Sequence, residues 1–335
     1  MIFSGVCITL TAANFNGTGK QMNTVLQIAA GIAGLVLLCY GADFLVRGGV
    51  QIAKKFKVTP LVIGLTLVAF ATSAPELVVS CDAALQGAGD IALGNVIGSN
   101  ICNIALILGL SALITPLRVN PNLFKLDVPL MLGSSVLLVF FLWLSGGLNR
   151  LEGALFFAGI IAYVVYSVYA ARKSGEEVTE VEGDGKPLSV AVSIGFVLLG
   201  LAMLVGGAKL LVGSAVWLAH LLGVTEAVIG LTIVAVGTSL PELATSVVAA
   251  LKGERDIAIG NVVGSNIFNI LAILGAAPLV KPLAATNISP TDLAVMLFCA
   301  VALYPIMKTG LVISRKEGAF LLLVYIGYTV WLIIG

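Results

Sequence analysis

The sequence predicts an all-α membrane protein of ten transmembrane helices in two inverted five-helix repeats. Three observations carry that expectation. Apolar residues fill 59% of the 335 positions and charged residues only 10%, with a mean hydropathy of +1.10, more apolar surface than a water-exposed fold of this size buries. Charge-poor runs recur along the chain, each long enough to cross a bilayer at about 20 residues per span. The chain also repeats itself. GLTLVAFATSAPELVVS at 64–80 returns as GLTIVAVGTSLPELATS at 230–246, with 11 of 17 positions identical at an offset of 166. DIALGNVIGSNICNIALILG at 90–109 returns at the same offset as DIAIGNVVGSNIFNILAILG at 256–275, with 15 of 20 identical.

Taken in order, the apolar runs are 21–46, 58–81, 91–117, 128–149, 153–171, 187–225, 227–251, 257–280, 293–313 and 318–335. The run at 293–313 is the weakest, because Pro305 and Lys308 interrupt it. The duplication reaches beyond the two blocks. Gly41-Ala42-Asp43 aligns with Gly207-Ala208-Lys209, and Arg150–Ala154 aligns with Arg315–Ala319 at an offset of 165. The units are therefore 23–171 and 189–335. They are joined by a solvated linker at 172–188, whose residues 172–187 hold three cations and five anions. Residues 1–22 have no counterpart and lack the basic n-region of a signal peptide, so they read as an extension.

Charge sets the orientation. Ten spans place Lys20, Arg150, Lys209 and Lys281 on the side of both termini, and the other fourteen cations on the opposite side. The excess of cations on cytoplasmic loops then puts both termini outside and the 172–188 linker in the cytoplasm. Five helices per unit is an odd number, so the second unit inserts upside down relative to the first. The loop charges agree: the 82–90 turn carries no cation, while its counterpart at 248–256 carries Lys252 and Arg255.

The chemistry lies in the repeated blocks. Each first block holds one carboxylate, Glu76 or Glu242, in a run otherwise free of charge. An acid at mid-membrane costs about 2.5–3.5 kcal/mol or more, so a pair of them argues for function. Pro75 and Pro241 precede them. Proline has no N–H to donate, which frees the carbonyls of Ala71 and Gly237 and loosens those of Ala69, Thr72, Ala235 and Thr238. Unpaired carbonyls in lipid need a partner, and hard cations take oxygen ligands. Thr72, Ser73, Thr238 and Ser239 stand beside the breaks. The second blocks add Ser99, Asn100 and Asn103, then Ser265, Asn266 and Asn269, with 99 and 103 on one helix face. Gly94, Gly98, Gly260 and Gly264 let backbones approach closely.

Other residues carry less. Asp43 and Arg47 are spaced to pair on one helix, and Asp90 and Asp256 stand where helix N-caps are expected. Five scattered cysteines form no disulfide framework or metal spacing. With a net charge of +1 and no basic patch, no nucleic-acid partner is expected. No histidine or lysine is placed to activate Ser73 or Ser239, which argues against a hydrolase. Paired inverted repeats with broken helices favour alternating access over an open channel.

At both motifs the sequence resembles the calcium/cation antiporter superfamily, in its prokaryotic sodium/calcium exchanger branch, over about residues 23–335. The resemblance implies that Glu76 and Glu242, with the carbonyls of Thr72 and Thr238, hold calcium. It implies that Ser73, Ser99, Ser239 and Ser265, with the carbonyls of Ala69 and Ala235, complete flanking sodium sites, and that Asn103 and Asn269 form the central polar pair. Calcium and sodium are cargo, no cofactor is expected, and the chain is expected to act as a monomer in the cell membrane. Two positions depart from the family pattern. Ala71 stands where glycine is usual, and Asn103 and Asn269 are both amides where an aspartate is common. The amides remove one charge and leave the counter-ion open between sodium and protons.

Overall fold

The computed structural model describes residues 24–56, 58–174, 189–222 and 235–334. In lipid a backbone must satisfy its own N–H and C=O groups, so the apolar runs fold as helices. Helix α1 is Thr24–Phe56 and α2 is Pro60–Thr72, with Thr59 at its N-cap. Helix α3, Ala74–Leu85, meets α2 at a 46° bend. Helix α4 is Gly89–Ile114, strand β1 Leu117–Arg118, α5 Asp127–Ser145, β2 Gly147–Leu148 and α6 Arg150–Ser174. The second half holds α7 Val190–Leu221, a single turn at Ala235–Gly237, α8 Leu240–Leu251 and α9 Arg255–Val280. Strand β3 Leu283–Ala284, α10 Pro290–Lys308, β4 Val312–Ile313 and α11 Arg315–Ile334 complete it.

Among the described residues eight helices are long and apolar enough to cross a membrane, or nine if the bent α2–α3 pair is one span. The expected 227–251 span falls partly on 223–234, outside the described residues; its remainder, α8, is apolar but short. Residues 1–22 and most of the linker also lie outside them. The run that reads as weakest forms α10, the least apolar of these eight spans; Pro305 lies inside it and the helix stops at Lys308. The second blocks form the centre. The most apolar stretch of α9 is wholly buried and that of α4 is 72% buried, against 11–33% in the outer spans, whose apolar faces are left for lipid.

Contacts between the halves come in reciprocal pairs. β1 pairs antiparallel with β4, and β2 with β3. Helix α5 therefore starts at the end where α10 stops, and stops where α10 starts. A methyl group built on Gly41 of α1 would lie 2.9 Å from the carbonyl of Gly200 on α7, and one on Gly200 would lie 2.7 Å from the carbonyl of Gly41. Gly34 and Gly207 repeat the arrangement at 2.8 Å in both directions. Close antiparallel packing of α1 on α7 thus requires glycine at these four places. Tyr163 donates to Asp127 at 2.9 Å, and Tyr328, 165 positions on, donates to Asp292 at 2.8 Å. Capping boxes open α6 and α11, from Asn149 with Glu152 and from Ser314 with Glu317.

Candidate ion-binding site

The two breaks adopt one local geometry. Ser73 has φ −82° and ψ 2°, Ser239 has φ −89° and ψ 7°, and each next helix starts with proline in its first turn. Glu76 and Glu242 follow in those first turns, and each is only 1% exposed. The halves then cross. Ser73 Oγ donates to Glu242 Oε1 at 3.1 Å, and Ser239 Oγ donates to Glu76 Oε1 at 3.5 Å. Ser239 Oγ also lies 3.5 Å from Ser99 Oγ. Each serine serves the glutamate of the other half, which ties the two carboxylates into one cluster.

The second oxygens, Glu76 Oε2 and Glu242 Oε2, are buried with no hydrogen-bond partner. An unpartnered buried carboxylate oxygen is expensive unless a proton or cation meets it. Ser265 Oγ, Asn103 Oδ1 and Asn269 Oδ1 are buried and unpartnered as well. The donor set is therefore oxygen, which suits a hard cation such as calcium or sodium. Among the described residues no three of His, Cys, Asp and Glu converge as a transition-metal site would need.

Not every expected residue stands as the sequence predicts. Asn269 Nδ2 donates across the halves to Asn100 Oδ1 at 3.0 Å, a bond the spacing does not predict. The carbonyl of Ala69 is not loosened. It accepts from Ser73 N–H at 3.0 Å and from Thr72 Oγ1 at 3.3 Å, because the break falls after the turn that closes on it. In the second half Ser239 N–H turns to the carbonyl of Val236 at 3.1 Å, so the two breaks differ in detail. Ala235 opens the short turn before that break, and Thr238 is half-buried beside it. Asp90 and Asp256 do not cap their helices, which start after Ala88 and Glu254. Asp90 instead binds the backbone N–H groups of Thr286 and Asn287 at 2.8 and 3.0 Å, and Asp256 accepts from Asn120 at 3.4 Å. Gly260 and Gly264 do admit a close neighbour, the Leu61–Leu65 stretch of α2.

Sequence reasoning missed two features here. Helices α4 and α9 widen into π-helical turns at Cys102–Leu108 and Asn269–Ile273, separated from the GSN triplets by one and two residues. Such turns cluster at functional sites, and no composition signal marks them. Asn95 and Asn261 also reach the glutamate helices; their recurrence at an offset of 166 was the available signal.

A family model described as sodium/calcium exchanger protein matches residues 26–169 and again 192–334. The sodium/calcium exchanger MaX1 of Methanosarcina acetivorans is 38% identical over 341 residues, covering 89% of this chain and 96% of its own. The inner membrane protein YrbG of Escherichia coli is 35% identical over 269 residues, covering 77% of this chain and 81% of its own. Among solved structures, the sodium-calcium exchanger NCX_Mj soaked with zero Na+ and Ca2+ superposes with a TM-score of 0.78 at 35% identity. That match covers 90% of this chain and 97% of NCX_Mj.

Proposed function

The chain belongs to the sodium/calcium exchanger protein family, and on that premise we propose that it exchanges sodium for calcium by alternating access around the Glu76–Glu242 pair. It is a multi-pass membrane protein and a cation antiporter. The observation that carries the finer reading is the crossed geometry: two buried carboxylates, each bonded by the other half's serine, each with a free second oxygen. One calcium ion, or several sodium ions, neutralises that pair, but not both together. Each cargo therefore displaces the other, and an empty site leaves bare charge that resists crossing.

In this proposal calcium is held by Glu76, Glu242 and the carbonyls of Thr72 and Thr238. Ser73, Ser99, Ser239 and Ser265, with the carbonyls of Ala69 and Ala235, hold sodium, and Asn103 and Asn269 line the centre. The glycine-rich helices α1 and α7 glide over the remaining helices to open one side at a time. Ten helices in two inverted units, 23–171 and 189–335 joined by 172–188, are the architecture we propose; the reciprocal β ribbons and the opposed runs of α5 and α10 support it. Both termini lie outside and the linker in the cytoplasm, and the chain works as a monomer. In support, Arg118, Arg315 and Lys316 gather near the β1–β4 ribbon, on the cation-rich side.

The test is uptake of calcium-45 into proteoliposomes driven by an imposed sodium gradient, with an imposed pH gradient as control. Sodium-driven uptake supports the reading. Uptake driven by pH alone would establish instead the proton/calcium antiport that the two amides, Asn103 and Asn269, permit.

A further inference from the structure

Asn95 and Asn261 belong to the second repeated blocks, yet neither is among the oxygens assigned above. Each amide reaches from its own helix to the helix that carries a glutamate. Asn95 Nδ2 lies 2.9 Å from Ser80 Oγ and 3.4 Å from the carbonyl oxygen of Glu76. Asn261 Nδ2 lies 2.9 Å from Ser246 Oγ and 3.4 Å from the carbonyl oxygen of Glu242. The four distances match pair by pair across the halves. A primary amide has two N–H hydrogens, and the two acceptors are one helical turn apart, so one side chain suits both.

The place matters as much as the bonds. Glu76 and Glu242 sit in the first turn after a break, where a helix holds its direction least firmly. A donor from the neighbouring helix, fixed on that turn's backbone, sets the rotation of the helix about its axis. That rotation decides where the carboxylate points. We propose that Asn95 and Asn261 are positioning residues that aim Glu76 and Glu242 at the bound divalent cation and so set the protein's affinity for it. The inference rests on the calcium reading above.

The two are not equal. Asn261 is wholly buried, and its Oδ1 also accepts from Thr72 Oγ1 at 3.1 Å, across to the break that precedes Glu76. Asn261 therefore touches the surroundings of both glutamates. Asn95 is partly exposed and grips only its own half.

The experiment measures calcium-45 binding to the full-length protein in detergent, together with the thermal midpoint in the absence of calcium. Asn95→Leu and Asn261→Leu keep the branched heavy-atom skeleton and remove the donors; Ser80→Ala and Ser246→Ala are the milder companions. The half-saturating calcium concentration should rise about fivefold in Asn95→Leu, and further in Asn261→Leu, as the loss of a buried hydrogen bond implies. Ser80→Ala should add little on top of Asn95→Leu, whereas Ser246→Ala should add in full. If a leucine variant does not fold, the serine variants carry the test, with an expected rise of about twofold each. Unchanged half-saturation with a lowered thermal midpoint would mark both amides as structural only and overturn the proposal. Wild-type protein that binds no calcium would overturn the calcium reading itself, a result distinct from wild-type binding with unaffected variants.

Discussion

At the scale of the residue, the defining fact is that Ser73 bonds Glu242 and Ser239 bonds Glu76, not the reverse. Hydrogen bonds to charged groups contribute about 1.5–3 kcal/mol, so the crossing is measurable. Thermal midpoints of Ser73→Ala combined with Glu242→Gln should be non-additive, while Ser73→Ala combined with Glu76→Gln should be near additive. Glu76→Gln should reduce calcium-45 transport in vesicles to background, and full residual transport would refute the assignment. Much of this level was legible in the chain. The carboxylates, serines and prolines stood out because they are polar or helix-breaking residues in apolar runs. What was not legible is who bonds whom. Spacing along a helix fixes which face a residue occupies, but the partner across the halves depends on packing that no local pattern encodes. For that reason the bond from Asn269 to Asn100 across the halves could not be read from the chain.

At the scale of the element, α1 differs from its counterpart α7. Asp43 on α1 pairs with Arg47 at 2.9 Å and also contacts Lys252, at the end of the helix that begins beside Glu242. The aligned position on α7 is Lys209, and the turn aligned with 252–254 carries Gln86, Gly87 and Ala88. Helix α1 thus has an ionic tie to a glutamate helix that α7 lacks at the aligned position. Asp43→Asn should change the exchange rate and flatten its dependence on ionic strength, with little change in half-saturating calcium; exchange assays at two salt concentrations decide it. Burial pushes the neighbouring Glu254 carboxyl above the usual glutamate range; Lys54 and Lys252 oppose the shift and Asp256 adds to it. Stability from Glu254 is therefore full at acid pH and is lost as pH rises through the raised value. Thermal midpoints of Glu254→Gln should fall less than wild type over that rise. Gly41→Val places side-chain carbon against the carbonyl of Gly200 and should lower stability by about 1–3 kcal/mol, read as a drop in thermal midpoint. The glycine content of α1 and α7 was visible in the sequence. The pairing of Gly41 with Gly200, and of Gly34 with Gly207, required the antiparallel register of two helices far apart in the chain.

At the scale of the whole molecule, the duplication read from two motifs extends into parts with little sequence identity. The Tyr163–Asp127 and Tyr328–Asp292 bonds, the capping boxes and the ribbons all recur. The ribbons and the tyrosine bonds escaped sequence reading because a two-residue strand and a lone tyrosine give no periodic signal. Equivalence predicts equal responses. Tyr163→Phe and Tyr328→Phe should each lower the thermal midpoint by a similar amount, corresponding to about 1–3 kcal/mol for an acceptor left unpaired. Orientation is testable at the same scale. In a cysteine-free background, Leu151→Cys should react with an impermeant maleimide added to whole cells, and Lys316→Cys only after the membrane is opened. The reverse pattern would invert the proposed topology.

The ribbons have one more implication. Each strand finds its complement in the opposite half, and the close glycine pairs Gly41–Gly200 and Gly34–Gly207 are each other's equivalents, since Gly207 repeats Gly41 and Gly200 repeats Gly34. Such self-complementary contacts are those of a two-fold dimer. A chain half this long could have made all of them with a second copy of itself inserted the other way up. Two separately expressed halves, cut within the linker, should therefore reassemble into an active exchanger.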